Sequence, residues 1–227
     1  GLTKIHHGKS FSDLGLLHLM ACCPDSEMLS VGKADYEELE SLSNKIEDEL
    51  ILTPNDLPML QDSYTYYATL KTMWMLGRWI EEEKEEILCD EFNVGPGDIY
   101  RHVESAQWLL YAANTIAELN HFKKLSFNLE DLRHRVQYGI KAELLELASL
   151  RGVGRIRARQ LYAHGYHKLG DLKNASESSL ASIKSIGKAL AHEIVMQIKN
   201  PLKKHFTASK NAAVIEESLE ESAQWSD

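Results

Sequence analysis

Long apolar runs are missing from this chain of 227 residues. No stretch approaches the roughly 18 apolar residues that cross a bilayer as a helix. No basic leader followed by an apolar segment marks a secretory signal either, so no membrane association is expected. Cysteine is scarce: Cys22 and Cys23 are adjacent, Cys89 stands alone, and no CxxC spacing occurs. That pattern argues against a disulfide framework or a structural zinc site and fits a reducing compartment. Cys22 and Cys23 read as small apolar residues at a helix end, and His6, His7 and His18 lack ligand-spaced partners, so no metal is expected. Also absent are a GxxxxGK phosphate loop followed by Ser or Thr, the acidic box that accompanies one, and a GxGxxG turn after a strand. No Ser/His/Asp or Cys/His set stands out in chain order, which leaves a purely spatial set open. The chain starts at Gly1 rather than Met. It is read as part of a larger protein whose catalytic engine lies elsewhere, and no catalytic residue or cofactor is assigned to it.

Strand-like alternation is also scarce, while apolar residues recur at three- and four-residue spacing, which predicts an all-α protein. Apolar content of 44% and charged content of 26% are ordinary for a globular chain. The length suffices for one or two domains with a sizeable core. Helices are expected from Ser12 or Asp13 to Cys23, from Lys33 to Leu52, from Gln61 to Glu82, over Glu85–Phe92, from an Asp98 cap to Leu119, and from Leu129 to Leu150. Gly95-Pro96-Gly97 is a clear break. The aromatics Tyr64, Tyr66, Tyr67, Trp74 and Trp79 of the third helix are assigned to the core, and the acidic run 81–86 to a solvated face.

The second half carries a weak internal repeat at an offset of 33 residues. Leu147, Leu150, Gly152, Val153, Gly154, Ala158 and Leu161 return as Leu180, Ile183, Ser185, Ile186, Gly187, Ala191 and Ile194. A fixed period signals a repeated supersecondary unit. This one describes two short helices joined by a tight turn, with glycines supplying angles that a side chain resists and alanine permitting close approach. The backbone N–H groups at the start of the second helix then face outward, where a phosphate can sit. Ser185 replaces the first glycine in the second copy, which is expected to weaken phosphate binding there. The alternative is a pair of ordinary helical hairpins with glycine C-caps.

Charge is unevenly divided. Net charge is −9, yet residues 151–205 hold eleven Lys and Arg against three Asp and Glu, a balance of +8. Residues 1–150 balance at −13 and residues 206–227 at −4. A small basic module among acidic segments suits local phosphate neutralisation. Arg155, Arg157 and Arg159 follow the first turn directly; Arg155 and Arg159 share a helix face and Arg157 lies across from them. A solvated cationic face is the alternative.

In the helix from Asp98, residues Ile99, Val103, Ala106, Leu110, Ala113 and Ala117 form one stripe. Arg101, Trp108 and Thr115 fall opposite it, successive members lying about two turns apart. A cation and an indole so placed suit one single strand, arginine pairing with phosphate and tryptophan stacking on a base. Burial of the helix all round, with Trp108 in a second core, is the competing reading.

These segments resemble known proteins. The 33-residue unit is similar to the helix-hairpin-helix motif, used in tandem to grip DNA backbones without reading sequence. Phe92-Asn93-Val94-Gly95-Pro96-Gly97-Asp98-Ile99-Tyr100-Arg101 with Trp108-Leu109-Leu110-Tyr111-Ala112-Ala113 resembles the ratchet helix of archaeal Hjm-type, superfamily-two Ski-type DNA helicases, relatives of animal HelQ. Leu14-Gly15-Leu16-Leu17-His18-Leu19 is similar to the start of that family's ratchet domain, and residues 150–159 to its hairpin domain. The likeness covers about residues 11 to 200.

The resemblance implies a helical-bundle ratchet domain over 1–145, a helix-hairpin-helix DNA-binding domain over 146–205 and an acidic tail over 206–227. It implies a 3′-to-5′ ATP-driven helicase acting on forked or stalled replication structures, with ATP and Mg2+ held by preceding motor domains beside a winged-helix domain. It assigns Arg101 and Trp108 to the strand being pulled. Gly152, Val153, Gly154, Arg155, Arg157, Arg159, Ile186, Gly187 and Lys188 fall to the emerging strand, with a braking effect on unwinding. A cytoplasmic, nucleoid-associated protein of an archaeal cell is expected. The rivals are a non-enzymatic DNA-binding adaptor and the corresponding region of an RNA helicase. Glu216, Glu217, Glu220, Glu221 and Trp225 suit either a short amphipathic helix for a single-strand-binding protein or sliding clamp, or a frayed terminus.

Overall fold

The computed structural model describes residues 1–200 apart from His7 and Lys9. The expectations for His7 and for the tail 206–227 therefore lie outside the described residues. Among the described residues every regular element is helical, in two compact units, one over residues 1–139 and one beginning at Ile140. The division falls a few residues before the expected boundary at 145.

The first unit contains α1 (Leu2–His6), α2 (Asp13–Ala21), α3 (Asp35–Lys45), α4 (Ser63–Ile80), α5 (Glu85–Phe92), α6 (Pro96–Leu119) and α7 (Lys123–Tyr138). Capping chemistry sets several starts. The Ser12 hydroxyl accepts the Gly15 N–H at 3.1 Å, and the Asp62 carboxylate accepts the Thr65 N–H at 2.8 Å. Leu16, Leu17, Leu70, Met73, Met75, Leu88, Ile99, Leu110, Leu129 and Leu132 are buried together in one core. Trp79 belongs to that core; Tyr66, Tyr67 and Trp74 pack half-buried against it, and Tyr64 is exposed. His18 is fully buried beside the Thr69 hydroxyl at 3.2 Å, and burial pushes its pKa down to about 4, so it stays neutral near pH 7.

Several helix boundaries differ from expectation; α7, for one, begins at Lys123, six residues before the expected start at Leu129. The helix expected over 33–52 ends at Lys45, with a single 3-10 turn at Glu47–Glu49. Leu50, Ile51 and Leu52 are all buried, and three consecutive residues cannot share the inward stripe of one helix. Asp98 is not the cap of α6. Gly95 caps it, Pro96 opens it with the φ a first turn needs, and the Asp98 carboxylate reaches back to accept the Gly95 N–H at 2.8 Å.

The helix expected over 129–150 instead breaks at Gly139, which adopts φ +62 and donates its N–H to the Arg135 carbonyl at 2.8 Å. A Cβ there would lie 2.6 Å from the Trp79 ring, whose Nε1–H donates to the Val136 carbonyl at 2.8 Å.

The second unit contains α8 (Leu145–Ala148), α9 (Arg155–Ala163), α10 (Glu177–Ala181) and α11 (Lys188–Lys199). The repeat is explicit in space: α8, a turn and α9 recur as α10, a turn and α11. All ten apolar and alanine positions of the two copies are buried, so the period is the spacing at which the sequence fills a shared core.

Candidate nucleic-acid interface

In the first unit the interface lies on α6. Its predicted stripe, Ile99, Val103, Ala106, Leu110, Ala113 and Ala117, is buried without exception. The opposite face is in water. Trp108 is 63% exposed, and Tyr111, one turn on, is 54% exposed. Their ring centroids are 6.3 Å apart with planes at 30°. Arg101 lies seven residues before Trp108, about 10 Å along the axis, and its exposed guanidinium pairs with Asp98. Hydrogen bonds from the Gly95 N–H and then from Arg101 hold the Asp98 carboxyl below the usual carboxylate range. An exposed pair of this kind is worth little, so the guanidinium can exchange Asp98 for another anion at small cost. Thr115 donates its hydroxyl to the Tyr111 carbonyl at 3.0 Å.

In the second unit the two turns superpose in their backbone angles. Gly152 adopts φ +82 and Ser185 φ +70; Gly154 and Gly187, the caps of α9 and α11, are both extended, with φ −95 and −84. Serine therefore takes up the left-handed conformation that glycine takes in the first copy, and the second turn keeps its shape. Val153 and Ile186 are buried, while Gly152, Ser185 and Gly187 beside them are exposed and Gly154 is half-buried. No atom lies within 4 Å of where a Cβ on Gly154 or Gly187 would stand, so the approach to both helix N-termini is open. The first-turn N–H groups of a helix have no intrahelical acceptor, and the macrodipole favours an anion there.

Ser185 holds its conformation against the Cβ penalty. Ser185→Gly is expected to raise stability by about 0.5–1 kcal/mol, the left-handed penalty less the extra freedom of an unfolded glycine. Urea denaturation checks this, and an unchanged or lower midpoint would show that the turn is not strained.

The three arginines after the first turn have different surroundings. Arg157 donates from Nη1 to the Gly152 carbonyl at 2.7 Å and from Nε to the Ser185 carbonyl at 3.0 Å, joining the two turns. Arg159 pairs with Glu143 at 2.7 Å and lies 5.2 Å over the Tyr162 ring. Arg155 is half-buried at the start of α9. Lys188 is exposed at the start of α11 and forms no ion pair among the described residues. The structure thus brings together Gly152, Val153, Gly154, Arg157, Ile186 and Gly187, while Arg159 is directed to Glu143 and Tyr162.

Sequence reasoning missed three contributors. Tyr111 shares the outward face of Trp108, a placement its three-residue spacing already carried. Ser185 accepts Arg157 through its carbonyl. Gln197 accepts the Arg151 N–H at 2.8 Å and donates to the Arg151 carbonyl at 3.2 Å, fixing the residue that enters the first turn.

Two such turns in one frame, each leading into a helix whose amino end is open, define a tandem helix-hairpin-helix protein, here following a helical bundle in the sequence. Residues 144–200 match the family described as a SAM-like helix-hairpin-helix tandem, and residues 14–139 match the family described as archaeal helicase, domain 4. The chain belongs to this archaeal helicase family. Among its relatives is the ATP-dependent DNA helicase Hel308 of Pyrococcus horikoshii, 36% identical over 203 residues, or 89% of this chain and 28% of the relative. The proteins of that description from Pyrococcus abyssi and Methanocella arvoryzae are 34% and 33% identical, over 86% and 87% of this chain and 27% of each relative. The chain thus spans little more than a quarter of the length of these relatives.

Proposed function

We propose that this chain is the strand-handling portion of an ATP-dependent, 3′-to-5′ DNA helicase that acts on forked and stalled replication structures. The observation that carries the reading is the exposed indole of Trp108, with Arg101 two turns before it, on the outward face of a helix whose other face is core. Arg101 holds a phosphate and Trp108 stacks on a base, so the strand resists sliding back between motor strokes. The open amino ends after Gly154 and Gly187, with Lys188, hold phosphates of the emerging strand. Arg155 adds positive charge there. Arg157 positions the two turns, and Arg159 stands behind them.

Chemistry belongs to other domains in this reading. No group of three His, Cys, Asp or Glu able to hold a metal occurs among the described residues, and the sequence has no phosphate loop. These residues do not fit ATP and Mg2+, which the proposal assigns to the motor portion. Among the described residues no helix is long and apolar enough to cross a membrane. Association with nucleoid DNA is part of the proposal and follows from the strand-binding reading alone. The acidic tail is proposed to engage a single-strand-binding protein or sliding clamp.

Titration of the chain with labelled single-stranded DNA and RNA of one sequence, over a series of salt concentrations, tests the reading. DNA is expected to bind at least as tightly as RNA. The logarithm of affinity is expected to fall against log salt with a slope of about −0.7 for each phosphate engaged. Binding to RNA alone, or affinity indifferent to salt, would overturn it.

A further inference from the structure

We propose that Tyr111 is a second base-stacking residue, and that Trp108 and Tyr111 together take two consecutive bases of an extended single strand. The proposal rests on the strand-binding reading of α6 given above.

Tyr100 on the same helix shows what a structurally employed tyrosine looks like here. Its hydroxyl donates to Glu85 at 3.0 Å, and its ring and the buried Trp79 indole stand nearly perpendicular, 6.0 Å between centroids. Tyr111 has neither kind of anchor. Its hydroxyl has no hydrogen-bond partner among the described residues, its ring is 54% exposed, and the aromatic ring beside it, Trp108, is more exposed still. Nothing in the folding of the bundle requires two large rings side by side in water, whereas a ligand with flat faces does.

The spacing indicates the form of that ligand. The centroids stand 6.3 Å apart and the planes are within 30° of parallel. That separation is about twice the ~3.4 Å rise of a strand in a duplex. Bases still stacked on one another are too close together to meet one ring each. A strand pulled to about twice its duplex rise places one base on each ring. The pair therefore selects an unpaired, stretched strand by geometry, without reading its sequence, because every base has a π-face. Arg101, two turns before Trp108, lies on the same side for the adjoining phosphate.

The test uses the full chain, a labelled oligothymidylate, and a strand of equal length built from abasic units. Tyr111→Phe is expected to bind the oligothymidylate within about twofold of the parent, because it keeps the ring. Tyr111→Leu, a good helix former at an exposed site, is expected to weaken binding about five- to fiftyfold. On the abasic strand, Tyr111→Leu and the parent are expected to coincide, which a role in folding would not produce.

If Trp108→Ala weakens binding and Tyr111→Leu does not, this inference fails while the reading of α6 stands. If neither substitution matters, both fall. If Tyr111→Phe is as weak as Tyr111→Leu, the hydroxyl and not the ring is the contact, and the stacking proposal is overturned.

Discussion

Trp108→Ala is expected to weaken binding of single-stranded DNA by about 1–3 kcal/mol, a five- to 150-fold rise in Kd. The indole is 63% exposed and lies opposite a fully buried stripe, so its removal opens no cavity and leaves the bundle intact. Circular dichroism and the urea midpoint of the variant should match the parent. The loss in affinity should then be independent of salt, because stacking releases no counterions; an Arg101→Ala variant, in contrast, should lower the salt slope by about 0.7. Fluorescence adds a second readout. With Trp225 replaced by Phe in both proteins, quenching of the parent's tryptophan emission by oligothymidylate should shrink in the variant, since Trp79 is buried and Trp74 half-buried. Equal titration curves for variant and parent would remove Trp108 from the strand and with it the observation on which the proposed function stands.

The second large effect concerns stability. Gly139→Ala is expected to destabilise the first unit by about 2–5 kcal/mol, combining a left-handed backbone with a side chain and an overfilled contact. At φ +62 an alanine is strained in any surroundings, and its Cβ would stand 2.6 Å from the Trp79 ring. The ring cannot yield freely, because its Nε1–H is held by the buried carbonyl of Val136 at 2.8 Å. Tryptophan fluorescence during urea unfolding, measured in a Trp225→Phe background, follows this unit, which holds the other three tryptophans, Trp74, Trp79 and Trp108. Repeating the substitution in a Trp79→Phe background separates the two causes: a smaller ring relieves the clash and leaves the backbone term. A loss below about 1 kcal/mol would mean that neither operates.

The residues that proved readable in advance share one property: their signal is local and periodic. The inward stripe of α6 repeats at helical spacing behind a Gly-Pro-Gly stop, and every member is buried. The 33-residue offset likewise names buried positions in both copies, because each half of the second unit fills the same kind of space. Boundaries set by distant contacts were not readable. Gly139 looks like any glycine in an otherwise helical run, and the close approach of Trp79, 60 positions earlier, is what reserves this left-handed helix end for a residue without a side chain. Leu50–Leu52 fit a helical pattern until their joint burial rules it out. At the candidate site, the outward placement of Trp108 followed from the stripe, and Tyr111 lay within reach of the same argument. The arginines were not separable. Arg155, Arg157 and Arg159 alternate within five residues, less than two helical turns, but one of them is committed to two carbonyls and another to a carboxylate and a ring.

The bridge from Arg157 to the carbonyls of Gly152 and Ser185 has a mechanical consequence. Two prongs riveted at their bases cannot swivel independently, so their tips keep a preset gauge. Any polyanion with matching intervals meets a ready-made caliper and forgoes the entropy loss of aligning two loose fingers.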